Sequence, residues 1–77
     1  MTQDLDLASA PLDTPLTLVA VHGVPAHRQR LGTLGLREGA SLRLLTRTIG
    51  GGRIALVAGS RIALGSDLVR QLRATVA

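Results

Sequence analysis

The two histidines of this 77-residue chain, His22 and His27, are the side chains best suited to bind a divalent metal ion. Neutral imidazoles are ligands for Zn²⁺ and Fe²⁺, but these two do not have the i, i+4 spacing that places both rings on one helix face. We treat both as candidate metal ligands, although a structural role is the default for His27 beside the leucines of a predicted helix. The chain has no cysteine, which excludes disulfides and thiolate metal sites.

Catalytic chemistry has little support in the sequence. Serine, histidine and aspartate are present, but they form neither a nucleophile elbow nor a pair of carboxylates. Gly50–Gly52 invites a phosphate-binding interpretation, yet a nucleotide loop ends in Lys-Ser or Lys-Thr and leads into a helix. Here the glycines precede Arg53 and a predicted strand, which indicates a hairpin loop. We therefore predict no enzyme activity, no catalytic residues and no cofactor.

The basic side chains offer a binding surface instead. The formal net charge is +4, and all nine cationic residues are arginine. Arg28, Arg30, Arg37 and Arg43 fall in and around one predicted helix and the strand after it, and with Leu45 they are our candidate partner-binding residues. Arginine pairs with carboxylates through two hydrogen bonds, so an acidic protein partner fits this cluster, and a merely solvated basic face is the alternative. The absence of Phe, Tyr and Trp removes the usual platforms for base stacking, so we expect no nucleic acid partner.

The elements that position these residues follow from the hydrophobic pattern. Leu16–Val21 is rich in β-forming residues and predicts a strand, and a leucine face predicts a helix over about residues 26–35. Gly35 and Gly39 are predicted to end that helix and to close a tight turn. From Ala40 to Arg47 the pattern alternates, with Leu42 and Leu44 inward. Leu45 breaks the alternation and indicates either a bulge or an apolar contact residue.

The second half predicts a hairpin and a closing strand. Ile54–Ala58 and Arg61–Leu64 are separated by Gly59-Ser60, which predicts a type II′ turn. Ser66 is the expected N-cap of one helical turn, and alternate apolar residues from Leu72 predict the last strand.

The ends of the chain and its size define the expected domain organisation. Residues 1–13 predict an acidic tail whose leucines dock on the domain, and residues 14–77 form that single domain. The acidic N-terminus is not a secretory signal and no long apolar segment follows, so we expect a cytoplasmic protein. A core of this size is marginal for a monomer, which leaves a homo-oligomer open.

This pattern resembles the FeoA family of bacterial ferrous iron transport, which is related to the C-terminal SH3-like domain of iron-dependent repressors. The residues that carry the resemblance are Arg30-Leu31, Leu34-Gly35-Leu36, Gly39, Gly50–Gly52, Ile54, Gly59, Ile62-Ala63-Leu64 and Val76. The resemblance and the predicted elements imply a mainly β fold, a small SH3-like barrel of about five strands with one short helix and one helical turn.

The resemblance also implies a function. It indicates a non-enzymatic, cytoplasmic accessory or regulatory protein that contacts FeoB, the ferrous iron permease with a GTPase domain, and reaches the membrane only through that partner. Two alternatives stay open, a basic small-barrel nucleic-acid-binding protein and a detached repressor-type SH3-like interaction domain.

Overall fold

A computed structural model describes residues 4–77 as a mainly β fold, with six antiparallel strands in one sheet and two short helices. The order of strands across the sheet is β1-β6-β2-β3-β4-β5. The elements in chain order are β1 (Leu5–Asp6), β2 (Leu16–Val21), α1 (Pro25–Thr33), β3 (Ser41–Arg47), β4 (Arg53–Val57), β5 (Ser60–Leu64), α2 (Ser66–Val69) and β6 (Leu72–Val76).

The core is built from one face of each long strand together with single leucine or valine side chains from the connections. In β3, Leu42 and Leu44 are buried and Ser41 and Arg43 are exposed, which confirms the predicted alternation. The β3–β4 register shifts between Leu44 and Thr46, so the predicted break at Leu45 is a β-bulge. Aliphatic burial of this kind is the main stabilising contribution in so small a domain.

The corner between α1 and β3 confirms the prediction made for its glycines. Gly35 and Gly39 have φ of +91° and +88°, a region that residues with a Cβ rarely adopt. A Cβ at Gly35 would also lie 3.1 Å from Val57 Cγ1, so this turn packs directly against the end of β4. The helix itself ends at Thr33, and Leu34, expected on its buried face, is 47% exposed as the C-cap.

The predicted type II′ turn at Gly59-Ser60 is wrong. Val57 pairs with Ser60, so the two-residue turn is Ala58-Gly59, and both residues have positive φ, 50° and 82°. Positive φ at both central positions is the signature of a type I′ turn, whose twist matches that of the flanking strands. Ala58 accepts this conformation although it has a Cβ, which is why the pattern of glycines alone misplaced the turn by one residue.

The predicted capping role of Ser66 is also wrong. The N-cap of α2 is Gly65, Ser66 is the first helical residue, and the cap position carries no side-chain hydrogen bond. The short helical turn itself is present, because Val69 packs fully into the core and holds it there.

The segment expected to be a docked tail contributes to both the sheet and the core. Leu5 and Asp6 form β1 on the outer side of β6, which raises the strand count from the expected five to six. Leu7 is completely buried, and its N–H donates to the carbonyls of Leu72 and Val69, each at 3.1 Å. Residues 1–3 of the predicted tail lie outside the described part of the chain.

Candidate functional site

The predicted basic residues lie on the surface around α1 and β3, but they do not form one patch. Arg28 and Arg37 line the same depression, of about 310 Å³, together with Glu38. Arg43 lines a different one beside the β4–β5 turn, and Arg30 is exposed in the last turn of α1. The structure therefore brings Arg28 and Arg37 together and separates Arg43 from them.

The remaining candidate contact residues differ in how they are held. The Arg37 guanidinium donates from Nη2 to the carbonyl of Gly32 at 3.2 Å, which orients it across the end of α1. Leu45 is half-buried at the bulge, so part of its side chain packs against the protein. Arg37 is thus the more accessible of the two for a partner.

Of the candidate metal ligands, His22 directly follows β2 and His27 is the third residue of α1. His22 is exposed and its backbone N–H donates to the carbonyl of Gln71 at 2.9 Å. His27 is half-buried, and its Nδ1 lies within 4 Å of the point that a Cβ on Gly23 would occupy, as does the amide oxygen of Gln71. Residues 4–77 contain no group of three or more histidine, aspartate or glutamate side chains able to hold a metal ion.

Arg53 has a structural position that the sequence did not reveal. It follows the glycine loop as expected, but it begins β4 and is only 7% exposed. Nη1 donates to the carbonyls of Gly51 and Gly52 at 3.0 and 2.8 Å, and Nη2 donates to the carbonyl of Ala8 at 2.8 Å. Arg53 therefore ties the N-terminal segment to β4, and it is not available to a partner.

Arg61, unlike the buried Arg53, is part of the exposed basic surface. It lies in β5, an outermost strand of the sheet, and shares with Arg37 a groove of about 560 Å³ between the end of α1 and the hairpin turn. The described residues contain a single ion pair, Arg70 with Asp67 at 2.7 Å, so neither Arg37 nor Arg61 is paired with a carboxylate there. The sequence placed Arg61 only at the start of a predicted strand.

A comparison with protein-family models decides the family. The model described as the FeoA domain matches residues 5–76, which is nearly the whole chain and begins at β1. The chain belongs to the FeoA domain family. By sequence comparison, none of the curated proteins matches it.

Solved structures of FeoA proteins share this fold. A crystal structure described as the iron uptake regulatory protein FeoA is 26% identical, with a TM-score of 0.84, and the match covers 95% of this chain and 97% of that one. The zinc complex of Stenotrophomonas maltophilia FeoA is 27% identical with a TM-score of 0.68, covering 94% of this chain and 86% of that one. It is described as a prokaryotic SH3 domain protein and as a candidate activating factor of bacterial ferrous iron transport. The expected SH3-like, mainly β fold is confirmed.

The same fold recurs inside a larger regulator. The structure of T. acidophilum IdeR is 19% identical with a TM-score of 0.80, and the match covers 96% of this chain but 34% of that one. At this identity the likeness concerns the fold alone.

The family relationship points to a role in ferrous iron transport. Within residues 4–77, neither helix has the length and apolar character needed to cross a membrane.

Proposed function

We propose that this FeoA-family chain is a non-enzymatic, cytoplasmic accessory protein that regulates ferrous iron transport by binding the FeoB permease. The family match over residues 5–76 carries the proposal, because it covers the whole sheet and both helices. The description of the Stenotrophomonas maltophilia relative as a candidate activating factor supports the same role.

The exposed arginines support a function that depends on binding a protein partner. Arg28, Arg30, Arg37 and Arg43 are all exposed, and none is paired with a carboxylate among the described residues. Complementary charge speeds the encounter between two proteins and fixes their orientation. An acidic surface on the cytoplasmic side of the permease is therefore the partner chemistry that fits these exposed arginines.

The alternatives have less support. A nucleic-acid-binding role lacks stacking side chains, because the chain contains no aromatic residue. The repressor-type role rests on a likeness in fold that spans about a third of the regulator. A role in ferrous iron transport is thus the best supported of the three functions.

The test combines uptake with binding. We expect the double variant Arg28→Gln with Arg43→Gln to fold normally, to lower uptake of labelled Fe²⁺ in cells lacking the endogenous gene, and to bind purified permease more slowly. The loss should shrink as salt is raised, since exposed charges act mainly on the rate of association and are screened over roughly 10 Å at 0.1 M salt.

The matched control is Arg47→Glu, which changes the net charge by the same two units. Arg47 is exposed and is the last residue of β3. It should leave uptake and binding near the original values. Absence of binding between the unmodified chain and the permease would overturn the proposed function. Equal losses in the two variants would mean that net charge, and not the positions of Arg28 and Arg43, controls binding.

A further inference from the structure

One side of β5 has no strand beside it. The sheet order ends at β5, which pairs with β4 and with no other strand among the described residues. In an antiparallel pair, residues alternate between those whose backbone groups bond to the neighbour and those whose groups face away. The two-residue turn makes Val57 and Ser60 a bonded pair, so Ile62 and Leu64 also bond to β4.

The alternation leaves Arg61 and Ala63 with their N–H and C=O groups directed away from the sheet. No backbone hydrogen bond of the described turns and loops uses these groups. Two donors and two acceptors therefore lie in a row, spaced as the partner positions of an added strand would be.

A groove runs beside this edge. Its walls are Ile62 of β5 and Leu34 at the end of α1, and Val57 forms part of its lining. Leu34 is 47% exposed although it is a large apolar residue. The groove thus offers apolar surface on the inner side of any strand added to β5.

The positive charge of the groove favours an acidic partner strand. Arg37 and Arg61 line it, no aspartate or glutamate does, and neither arginine has a carboxylate partner in the described residues. The side chain of a residue placed opposite Arg61 would lie next to the guanidinium, and a carboxylate there would be stabilised.

We propose that the open edge of β5 binds an extended acidic segment of a protein partner, which adds to the sheet as a seventh strand. Its backbone bonds to Arg61 and Ala63, acidic side chains face Arg61, and an apolar side chain between them packs against Ile62 in the groove. The proposal rests on the proposed function for its occupant in the cell, a segment of the permease, and it names where and how that contact is made.

A second copy of the chain fits the same edge less well. Each copy carries a net charge of +4, and pairing two β5 strands would bring two Arg61 side chains near each other. An acidic partner turns this charge into an attraction.

The probe is a capped seven-residue peptide of alternating glutamate and valine, titrated into the ¹⁵N-labelled full chain. We expect the amide protons of Arg61 and Ala63 to exchange quickly in the free protein, because no strand of the described residues covers them. Binding should slow their exchange by about tenfold or more at saturation and shift their resonances, while those of Ile62 and Leu64 stay protected throughout.

Two variants and two control peptides separate the backbone from the charge. Ala63→Pro removes one outward N–H at an edge position where proline is tolerated, and should weaken peptide binding about tenfold relative to Ala63→Val. Arg61→Glu should weaken peptide binding to a similar degree relative to the charge-matched Arg47→Glu.

A peptide N-methylated on the residues facing β5, or one with lysine replacing glutamate, should not bind. These peptides test the edge without altering the protein.

Three results would overturn the inference. The first is slowed exchange of amides elsewhere in the chain with none at Arg61 and Ala63, and the second is equal peptide binding by Ala63→Pro and Ala63→Val. The third is slowed exchange at Arg61 and Ala63 that increases with protein concentration in the absence of peptide, which would assign the edge to self-association. The peptide experiment is independent of the permease. If the peptide binds the edge and the permease does not bind the chain, the proposed function fails and the edge site stands.

Discussion

The two edges of the sheet are both short strands, but they end in opposite ways. At β1 the outward carbonyl of Asp6 already accepts the N–H of Ser9 at 3.0 Å, and the chain then turns inward to bury Leu7. At β5 the outward groups of Arg61 and Ala63 have no partner among the described residues, and the strand borders an open groove. One edge is closed by the protein's own chain, and the other is left available.

In our proposal, this very small domain uses one edge of the sheet for stability and the other for binding. Edge strands invite unwanted pairing, and proteins commonly protect them with short length or with a charged side chain. β1 is two residues long, and β5 carries the exposed Arg61 as its second residue. A charge of this kind repels most strands while still admitting one of opposite charge, which makes the protection selective.

The strongest way to test the comparison is to truncate one apolar side chain at each edge. We expect Leu7→Ala to lower the free energy of unfolding by about 3 kcal/mol, since Leu7 is completely buried. Ile62→Ala at the β5 edge should cost about 1 kcal/mol because Ile62 is half-buried. Urea denaturation of both variants measures this difference, and equal losses would mean that the two edges contribute alike to the core.

The arginines of the hairpin provide a second, smaller contrast. Arg53→Met should lower the free energy of unfolding by about 1.5 kcal/mol, because the carbonyls of Ala8, Gly51 and Gly52 lose a buried donor. Arg61→Met should change it by less than about 0.5 kcal/mol, as is usual for an exposed site. Thermal denaturation followed by circular dichroism checks both. A stabilised Arg53→Met variant would show that burying this charge costs more than its hydrogen bonds return.

The smallest expected effect concerns the turn that presents β5. Asparagine is favoured over alanine at the first central position of a type I′ turn, so Ala58→Asn should raise the free energy of unfolding by about 0.5 kcal/mol. Ser60→Asn, just outside the turn, should not stabilise the protein. Stabilisation by the second variant and not by the first would place the turn where the sequence had predicted it.

Local patterns predicted much of this fold. The alternation of Leu42 and Leu44, the break in that alternation at Leu45 and the left-handed glycines at 35 and 39 are all properties of a few neighbouring residues, and the structure confirms them. The turn at Ala58-Gly59 was misplaced because alanine rarely adopts positive φ and the flanking register decided the outcome.

The features that escaped the sequence depend on distant partners. Arg53 is buried by carbonyls that lie up to 45 positions away, and nothing in its own neighbourhood distinguishes it from Arg61. The open edge of β5 depends on strand order across the whole sheet, which a single sequence does not specify. The basic cluster was predicted from chain proximity, and the structure divides it between separate depressions.

Single-residue amide exchange of the full chain, free and bound to intact FeoB-type permease in nanodiscs, is the most direct test of the central claim. The account predicts that permease binding slows exchange at Arg61 and Ala63 and leaves Asp6 at the other edge unchanged. Protection at Asp6 with none at Arg61 and Ala63, or binding without protection at either edge, would contradict it.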